Sequence, residues 1–403
     1  MPKLSRRPSI FCISTYEKGQ AFLREAARLG ADVTLLTVEK LKDADWPKDI
    51  LAEFLTMPED LTPEQVLNTV CFLARTRRID RIVPLDEFDL EVAALLREHM
   101  RLPGLGETAT RYFRDKLAMR TEARKSGVPV PEFCGIFLRE DLATFMREVP
   151  GPWLLKPRTN ASAIGIKPVA HPDELWPILD TLGDLQSHYV LERFVAGEVY
   201  HVEGVIWGGK LLYSVPCVYG RPPIQTMHQG GIFTTRTLPL DAPETAALLE
   251  IHSRLIPALH LDQGVTHSEF IRAESDGQFY FLETAARVGG AYIADMVEFA
   301  SGMNPWVEWA RIECSAAAGT EYRLPPLHAG YAGAVISLAR QEVPDLSGYT
   351  DPEIAMRLQK DHHAGILLKT ENEPRLRSLV ESYTERFLVD FCAVLPAPDK
   401  PTA

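Results

Sequence analysis

Cysteines are scarce in this chain, and none of them form a metal-binding or redox pair. The 403 residues include six, and no two stand in a Cys-x-x-Cys arrangement. Zinc-ribbon, thioredoxin-like and disulfide-framework proteins are therefore excluded, because their chemistry needs closely spaced thiols. The pattern predicts buried thiols in a reducing cytosol, at Cys12, Cys71, Cys134, Cys217, Cys314 and Cys392.

Long apolar runs and an excess of basic residues are also missing. No stretch approaches the roughly 18–20 apolar residues of a membrane span, and the apolar segment after the basic start is too short for a signal peptide. The formal net charge of −12 argues against a nucleic-acid surface, which needs a basic patch. A nucleotide is still compatible with that charge, because a few local lysines can outweigh it.

The glycine fingerprint of a dinucleotide site is absent as well. Only Gly19 lies in the first turn after the first predicted strand, so an NAD site is excluded. Apolar patterns predict a doubly wound α/β start, with strands at 9–14, 33–38 and 81–84 and helices at 17–29, 63–77 and 88–99. Further helices are predicted near the C-terminus, at 352–360 and 374–387. A chain of 403 residues predicts two or three domains.

The most informative segment is a β-hairpin between residues 266 and 290. Residues 275–277 read as a three-residue loop in which Gly277 takes the left-handed conformation that this turn needs. Centring the loop on Asp276 opposes Glu274 with Gln278, Ile271 with Phe281, and Glu269 with Glu283. Opposed carboxylates destabilise a sheet, so the last pair predicts a bound cation. Proteins hold Mg²⁺ beside phosphates with one or two carboxylates.

Six motifs follow one another in the order found in the ATP-grasp superfamily, which the chain resembles. They are Asp115-Lys116, Gly127–Pro131, Leu154–Pro157, Glu192–Glu198, Glu269 and Glu283-x-x-x-Arg287-x-Gly-Gly290. The resemblance spans residues 10–310. Within the superfamily, Leu282–Arg287 is most similar to the bacterial L-amino-acid ligases, which form dipeptides.

The resemblance implies a multidomain fold that combines α/β and α+β classes. A doubly wound parallel α/β domain would cover 1–110, and a small lid subdomain with its linker helix would cover 111–195. A catalytic subdomain with an antiparallel sheet would follow at 196–320. A C-terminal subdomain at 321–403 would pack on the ATP-grasp core.

Several predicted nucleotide contacts follow from the resemblance. Lys116 and Lys156 are similar to lysines that bind ATP phosphates, and Ser162 and Gly165 lie in a small-residue loop that the superfamily uses as a lid. Taken alone, Lys156 at the end of a buried strand also fits a structural ion pair. Lys116 lies in a basic helical run, which also fits a solvated face.

The segment from Glu192 to Val195 resembles the one beside which adenine binds. Glu192, Phe194 and Val195 are therefore predicted to contact the nucleotide. Glu198 resembles the carboxylate that binds the ribose hydroxyls. A charge at a strand edge is the alternative for this residue.

The metal and the reacting group are assigned to the hairpin and the residues after it. Glu269 and Glu283 would hold Mg²⁺ or Mn²⁺ between the phosphates of ATP. Ala285 stands where many members carry a further asparagine ligand, a departure that the amino-acid ligases share. Arg287 is the predicted catalytic residue, since a guanidinium binds carboxylate or phosphoryl oxygens in bidentate fashion. Gly290 would let a substrate approach a helix N-terminus.

Two further residues are candidates for substrate binding. His228 lies in a loop rich in glycine and proline and could position the acceptor, although a solvent-exposed histidine explains it equally well. Glu87 follows the strand at 81–84, where open α/β sheets bind ligands, and could hold an ammonium group.

The resemblance implies a carboxylate–amine ligase that uses ATP. Its substrates would be a small-molecule carboxylate and an amine, both amino acids, with no nucleic acid and no membrane involved. Another ATP-grasp ligase or carboxylase, or an ATP-binding protein without catalysis, is the alternative. The oligomeric state stays open, with a homodimer as one option.

Overall fold

The N-terminal part of the chain forms an open parallel sheet. The computed structural model describes residues 6–161, 164–223 and 231–393. It begins with β1 (Ser9–Ser14), α1 (Gln20–Arg28), β2 (Asp32–Val38), β3 (Glu53–Met57), α2 (Pro63–Leu73), β4 (Arg81–Pro84) and α3 (Leu90–Met100). The strands are parallel in the order β3-β2-β1-β4. β1 is apolar because both faces of a parallel sheet are buried. The predicted doubly wound start is confirmed.

A short connection leads from this domain into a second, antiparallel sheet. It contains α4 (Glu107–Thr110) and α5 (Lys116–Lys125). Asp115 begins α5 as its N-cap, since its side chain accepts from the amide of Leu117 at 3.0 Å. This cap fixes Lys116 as the first helical residue. The second sheet, which keeps the name lid sheet from the predicted subdomain, contains β5 (Phe133–Gly135), β6 (Trp153–Pro157), β7 (Lys167–Val169) and β8 (Tyr189–Arg193). Two helices, α6 (Arg139–Glu148) and α7 (Pro172–Leu182), connect its strands.

The largest sheet occupies the second half of the chain and runs in the order β13-β12-β9-β10-β11-β14-β16-β15. Its strands are β9 (Gly197–Trp207), β10 (Lys210–Tyr219), β11 (Phe233–Thr237), β12 (Gln263–Ala273), β13 (Phe279–Ala285), β14 (Tyr331–Leu338), β15 (Ile354–Arg357) and β16 (His363–Thr370). The helices are α8 (Pro243–Ala258), α9 (Ile293–Ser301), α10 (Pro305–Ala318) and α11 (Glu373–Asp390).

The C-terminal strands belong to this central sheet, because β14 pairs directly with β11. The helix predicted at 374–387 is confirmed as α11. The helix predicted at 352–360 is wrong, since β15 lies there and pairs with β16. Edge pairing has outweighed a helix-compatible pattern, as tertiary contacts often do. The domain boundaries at 110, 195 and 320 stay a prediction.

Alternate residues give the central sheet two different faces. The helix face packs against α8 and is apolar, with Tyr200, Val202, Phe270 and Phe281 buried in one cluster. The cavity face carries the intervening residues, namely Val199, His201 and Glu203 of β9 and His267, Glu269 and Ile271 of β12. Strand periodicity of two residues therefore separates an apolar core from a row of ionisable groups.

Candidate functional site

A cavity of about 500 Å³ lies between the lid sheet and the cavity face. It is large enough for a ligand of nucleotide or drug size. Ten of the predicted site residues line it: Glu87, Lys116, Lys156, Glu192, Phe194, Val195, Glu269, Glu283, Arg287 and Gly290. Ser162 and His228 lie outside the residues that the structure describes. The fold thus brings together side chains from five separate parts of the sequence.

The predicted opposition of Glu269 and Glu283 is confirmed. The rest of the predicted register is wrong, because Phe281 faces Phe270 rather than Ile271. The Ala273 amide bonds to the Gln278 carbonyl at 2.9 Å, so the loop holds four residues. A bulge between these two regions leaves one extra residue on β13 and restores the carboxylate pair. Gly277 does adopt φ 70°, as predicted.

The extra residue is Leu282, and the bulge releases its carbonyl oxygen from the strand ladder. The guanidinium of Arg120 donates to this oxygen. The bulge therefore sets the carboxylate register and also gives a buried arginine a fixed partner.

Glu283 is paired with a lysine. The ammonium of Lys116 lies 2.8 Å from Oε2 of Glu283 and donates to the carbonyl of Asn160 at 2.7 Å. Lys116 is buried, so the solvated-face alternative is wrong. The contact joins α5, the lid loop and β13 at one point.

Glu269 has a different set of partners. Tyr219 donates its hydroxyl to Oε1 of Glu269 at 2.9 Å, and Nε2 of His267 lies 3.5 Å from the same oxygen. Burial would lower the pKa of His267, but Glu203 and Glu269 outweigh it and raise the pKa to about 10. Burial would likewise raise the pKa of Glu269, and His267 and Tyr219 hold it below its usual value.

The two opposed carboxylates offer oxygen ligands only, which suits a hard divalent cation such as Mg²⁺ or Mn²⁺. The neighbouring Lys116 and His267 carry positive charge to the pair. A cation could thus enter by exchanging with protein partners rather than by neutralising two bare charges. These residues fit the metal that the sequence predicts.

A second charged cluster is almost closed to solvent. Glu192 is 1% exposed and bonds both to Lys156 and to Arg120, whose Nε lies 2.7 Å from Oε2. Burial lowers the pKa of Lys156, and Glu192 opposes that shift. Burial would raise the pKa of Glu192, but Arg120 and Lys156 outweigh it. The structural ion pair proposed as the alternative for Lys156 is therefore present, and its ammonium also lines the cavity.

Glu87 does not present a bare carboxylate to the cavity. Its Oε1 accepts from Arg114 at 2.9 Å, and its Oε2 accepts from Nη2 of Arg287 at 2.7 Å. Burial would raise the pKa of Glu87, but Arg287 and Arg114 outweigh it and bring the pKa to about 2. Both carboxylate oxygens thus have arginine partners, and the predicted contact with a substrate ammonium group stays a prediction. Glu87 orients Arg287, which also donates to the Val288 carbonyl at 2.8 Å.

Glu198 lies on the wrong face for the ribose contact that was predicted. Val199 lines the cavity, and strand alternation turns Glu198 away from it. Tyr200 on the helix face donates to Glu198 at 3.1 Å. A carboxylate that sequence reasoning missed, Glu274, lines the cavity where its amide bonds to the Ala196 carbonyl at 2.9 Å.

The lid loop is described on both sides of residues 162 and 163. Asn160, Ala161, Ile164 and Ile166 line the cavity. Gly165 does not line it, but adopts φ 75°, and a Cβ there would lie 2.9 Å from Pro157. Its role is therefore to let the loop turn.

In the segment predicted to contact adenine, one backbone donor is already in use. The amide of Phe194 already donates to the carbonyl of Pro152 at 2.9 Å. Val195 also lines the cavity, and because the amide of Phe194 is in use, Val195 is the better candidate of the two for a backbone contact with adenine. After Gly290, Ala291 and Tyr292 adopt φ 50° and 57°, and α9 begins at Ile293, which lines the cavity. Such backbone strain clusters at ligand sites.

Sequence reasoning also missed two arginines. Arg114 and Arg120 were assigned to a basic helical run that looks solvated, yet both are buried. Their carboxylate partners, Glu87 and Glu192, lie 27 and 72 residues away along the chain. Spacing within the helix therefore held no signal for these contacts.

Known proteins share this arrangement of domains. Residues 23–104 match the family described as the ATP-grasp N-terminal domain. An L-amino acid ligase from Bacillus licheniformis superposes with a TM-score of 0.74 and 20% identity, covering 96% of this chain and 99% of that one. The chain has the ATP-grasp fold. An N5-carboxyaminoimidazole synthetase from Staphylococcus aureus, solved with ADP, superposes with a TM-score of 0.70 and 17% identity, covering 95% and 98%.

Sequence relatives of this ATP-grasp chain are ligases. The L-arginine-specific L-amino acid ligase of Bacillus subtilis is 25% identical over 268 residues, which are 63% of each protein. A D-alanine–D-alanine ligase of Neisseria gonorrhoeae is 24% identical over 191 residues, covering 45% of this chain and 59% of that protein. The chain thus spans less than two thirds of the length of these relatives. No helix among residues 6–161, 164–223 and 231–393 is long and apolar enough to cross a membrane.

Proposed function

We propose that this chain is an ATP-dependent ligase that joins a carboxylate to an amine. The carboxylate would attack the γ-phosphate of ATP, giving an acyl phosphate and ADP, and the amine would then displace phosphate. The observation that carries the proposal is the opposition of Glu269 and Glu283 in one cavity with Lys156 and Arg287. The likeness to L-amino acid and D-alanine–D-alanine ligases supports the same reaction class.

Phosphoryl transfer needs alignment and positive charge rather than a protein nucleophile. Lys116 now contacts Glu283, and Lys156 contacts Glu192. Phosphate oxygens could replace these carboxylates as partners of both lysines. When bound between Glu269 and Glu283, Mg²⁺ or Mn²⁺ would withdraw charge from the phosphates. The protein would thus exchange internal ion pairs for contacts with ATP.

Arg287 would bind the acyl or phosphoryl oxygens. Its contacts with Glu87 and with the Val288 carbonyl use three of its five N–H groups. Within residues 6–161, 164–223 and 231–393, two N–H groups of Arg287 therefore remain for a ligand. Because Glu87 fixes the plane of the guanidinium, little conformational entropy would be lost when the substrate binds.

Amino acids are the proposed substrates, with a dipeptide as product. An apolar wall of the cavity, formed by Tyr219, Pro222, Pro223, Phe233 and Ile293, would receive a side chain. The charged groups that line the same cavity would receive the carboxylate. Two sequence relatives, the L-arginine-specific L-amino acid ligase and the D-alanine–D-alanine ligase, are named for amino-acid substrates, which supports this substrate class.

An amino-acid screen tests the proposal. ADP release from ATP and Mg²⁺ would be measured for single and paired L-amino acids, with D-amino acids and bicarbonate as comparison substrates, and products would be identified by mass spectrometry. We expect at least one L-amino-acid pair to stimulate ADP release and yield a dipeptide. Turnover with bicarbonate but with no amino-acid pair would contradict the proposal. ATP binding without ADP release under any condition would contradict it too.

A further inference from the structure

A buried hydrogen-bonded network lies beside the carboxylate pair on the cavity face. Glu203, 2% exposed, stands at its centre. Its Oε1 lies 2.8 Å from Nδ1 of His201 and 2.6 Å from Nδ1 of His267. Nε2 of His201 lies 2.6 Å from the Thr235 hydroxyl. None of these groups belongs to the reaction proposed above, yet the network ends on Glu269.

His267 connects the network to Glu269. One ring nitrogen faces Glu203, and the other lies 3.5 Å from Oε1 of Glu269. An ionised carboxylate only accepts hydrogen bonds, so Nδ1 of His267 donates to Glu203. Nε2 of His267 also lies 3.4 Å from the hydroxyl of Tyr219. Tyr219 donates to the same Oε1 at 2.9 Å. Within the described residues no hydrogen bond reaches Oε2, so the network holds one oxygen and leaves the other toward the cavity.

Gly289, in the segment that follows Arg287, lies close to the network. A Cβ at this position would lie 3.0 Å from Oε2 of Glu203 and 3.0 Å from Nδ1 of His267. Oε2 of Glu203 is buried without a hydrogen-bond partner among the described residues. A buried oxygen without a hydrogen-bond partner destabilises the folded state, so a purely stabilising role of the network would not explain Oε2 of Glu203.

We propose that His267 is a positioning residue for the metal-binding carboxylate Glu269. Glu203 fixes the ring of His267, and the ring, together with the hydroxyl of Tyr219, holds Oε1 of Glu269. Oε2 of Glu269 is then presented to the cation in a single orientation. This inference rests on the proposed function, because it needs Glu269 to bind a metal. Groups behind a metal ligand typically change metal affinity about 10- to 100-fold.

The same three side chains offer a second arrangement, as ligands of a metal of their own. One ligand atom each from His201, Glu203 and His267 lies within 4.8 Å of the others. Both Nδ1 atoms are already at hydrogen-bond distance from one oxygen of Glu203, and His201 is also bonded to Thr235. Because the ring nitrogens of both histidines already have hydrogen-bond partners, the hydrogen-bonded network is favoured over a coordination site.

A matched pair of buried histidines allows a direct test. His252 is buried, as His267 is, but it lies on the helix-face side, where its Nδ1 is 2.9 Å from the Ser214 hydroxyl. Mn²⁺ binding in the presence of ADP would be measured by electron paramagnetic resonance for the full chain. We expect His267→Asn and Glu203→Gln to weaken Mn²⁺ binding at least about 10-fold. His252→Asn should leave Mn²⁺ affinity unchanged even if its melting temperature falls.

Two further variants separate positioning from packing and from the metal site itself. His267→Gln, whose amide reaches toward Glu269, should recover part of the affinity that His267→Asn loses. Glu269→Ala should abolish Mn²⁺ binding. If Glu269→Ala does so and His267→Asn does not, positioning is wrong while the metal site stands. If Glu269→Ala has no effect, the metal site and the inference are both wrong.

The last measurement in this test is the metal content of the purified protein. We expect no stoichiometric transition metal. One that is present and lost in His201→Asn would replace the network with a coordination site and overturn the proposal.

Discussion

The cavity face and the helix face of the central sheet differ although they belong to the same strands. On β12, His267 and Glu269 face the cavity, while Ser268 and Phe270 face α8. The buried histidines His267 and His252 show the contrast: carboxylates raise the pKa of His267 to about 10, and burial lowers the pKa of His252 to about 4. The charge of a buried histidine therefore depends on whether nearby carboxylates offset the effect of burial.

This contrast divides the sheet into a chemical side and a stabilising side. Substitutions on the cavity face should change activity more than stability, and substitutions on the helix face should do the reverse. A cavity-face substitution that mainly lowers stability, or a helix-face substitution that mainly lowers activity, would contradict this division.

The largest effect is expected for Glu283→Ala on the cavity face. Loss of one carboxylate of the pair should lower turnover about 10³-fold, because the cation and the phosphates lose a fixed partner. The melting temperature should change little, since Glu283 is partly exposed. Steady-state ADP release and thermal denaturation measure the two quantities. Glu198→Ala, a carboxylate on the helix face, is the control and should keep turnover within about twofold.

Phe270→Ala on the helix face should have the opposite profile. Phe270 is fully buried, and its ring lies 5.8 Å from that of Phe281. The cavity left behind should lower the free energy of unfolding by about 3–5 kcal/mol, measured by urea denaturation. Below the unfolding transition, Mn²⁺·ADP affinity should be retained. Phe270→Leu should lose less, and a variant that folds normally yet fails to bind nucleotide would contradict the division of the faces.

Glu87 and Asp89 extend the comparison to the N-terminal sheet. Both are buried, yet Arg287 and Arg114 bring the pKa of Glu87 to about 2. Burial and the neighbouring Asp86 raise the pKa of Asp89 to about 7. In Asp89 the folded state binds its proton more tightly than the unfolded state, so its contribution favours folding at low pH. That contribution is lost as pH rises from about 4 to about 7.

Asp89→Asn should remove this dependence, because asparagine resembles the protonated acid. The variant should gain about 2 kcal/mol relative to the wild type between pH 5 and pH 8. Urea denaturation at both pH values measures it. Asp60→Asn, at an exposed turn, serves as the control. A difference between wild type and Asp89→Asn that does not vary with pH would show that Asp89 is ionised in the folded protein.

The smallest effect is expected for Glu87→Gln. Arg287 would keep its position but lose its charged partner, so kcat should fall about 10-fold with a smaller change in KM for ATP. Glu91→Gln is a close control, because Glu91 is largely exposed and lies 3.9 Å from Arg114. Equal losses in both variants would mean that the general charge near α3 matters rather than the fixed Arg287.

The sequence predicts the fold better than it predicts individual contacts. Opposed Glu269 and Glu283 were found from a loop length that is one residue too short, and a bulge at Leu282 compensated. A bulge has no local signature in this sequence. Glu198 was assigned to the cavity from its place in the motif. A shift of one residue along a strand moves a side chain to the opposite face of the sheet, and motif spacing alone does not fix which face a residue takes.

Long-range pairs account for most of what was missed. Arg120 bonds to Glu192 across 72 residues, and Arg114 bonds to Glu87 across 27. The sequence shows the charges but not which of them the fold will bury together. The helix wrongly predicted at 352–360 has a similar origin, since its strand pairing is made with β16.

The most direct test of the central claim follows an oxygen atom. The amino acid that acts as carboxylate donor would be supplied with ¹⁸O in its carboxyl group, together with ATP, Mg²⁺ and the amine partner. Attack of this carboxylate on the γ-phosphate predicts one ¹⁸O atom in each inorganic phosphate released, with ADP unlabelled. Label found in AMP, or phosphate that carries no ¹⁸O while an amide is formed, would contradict the account.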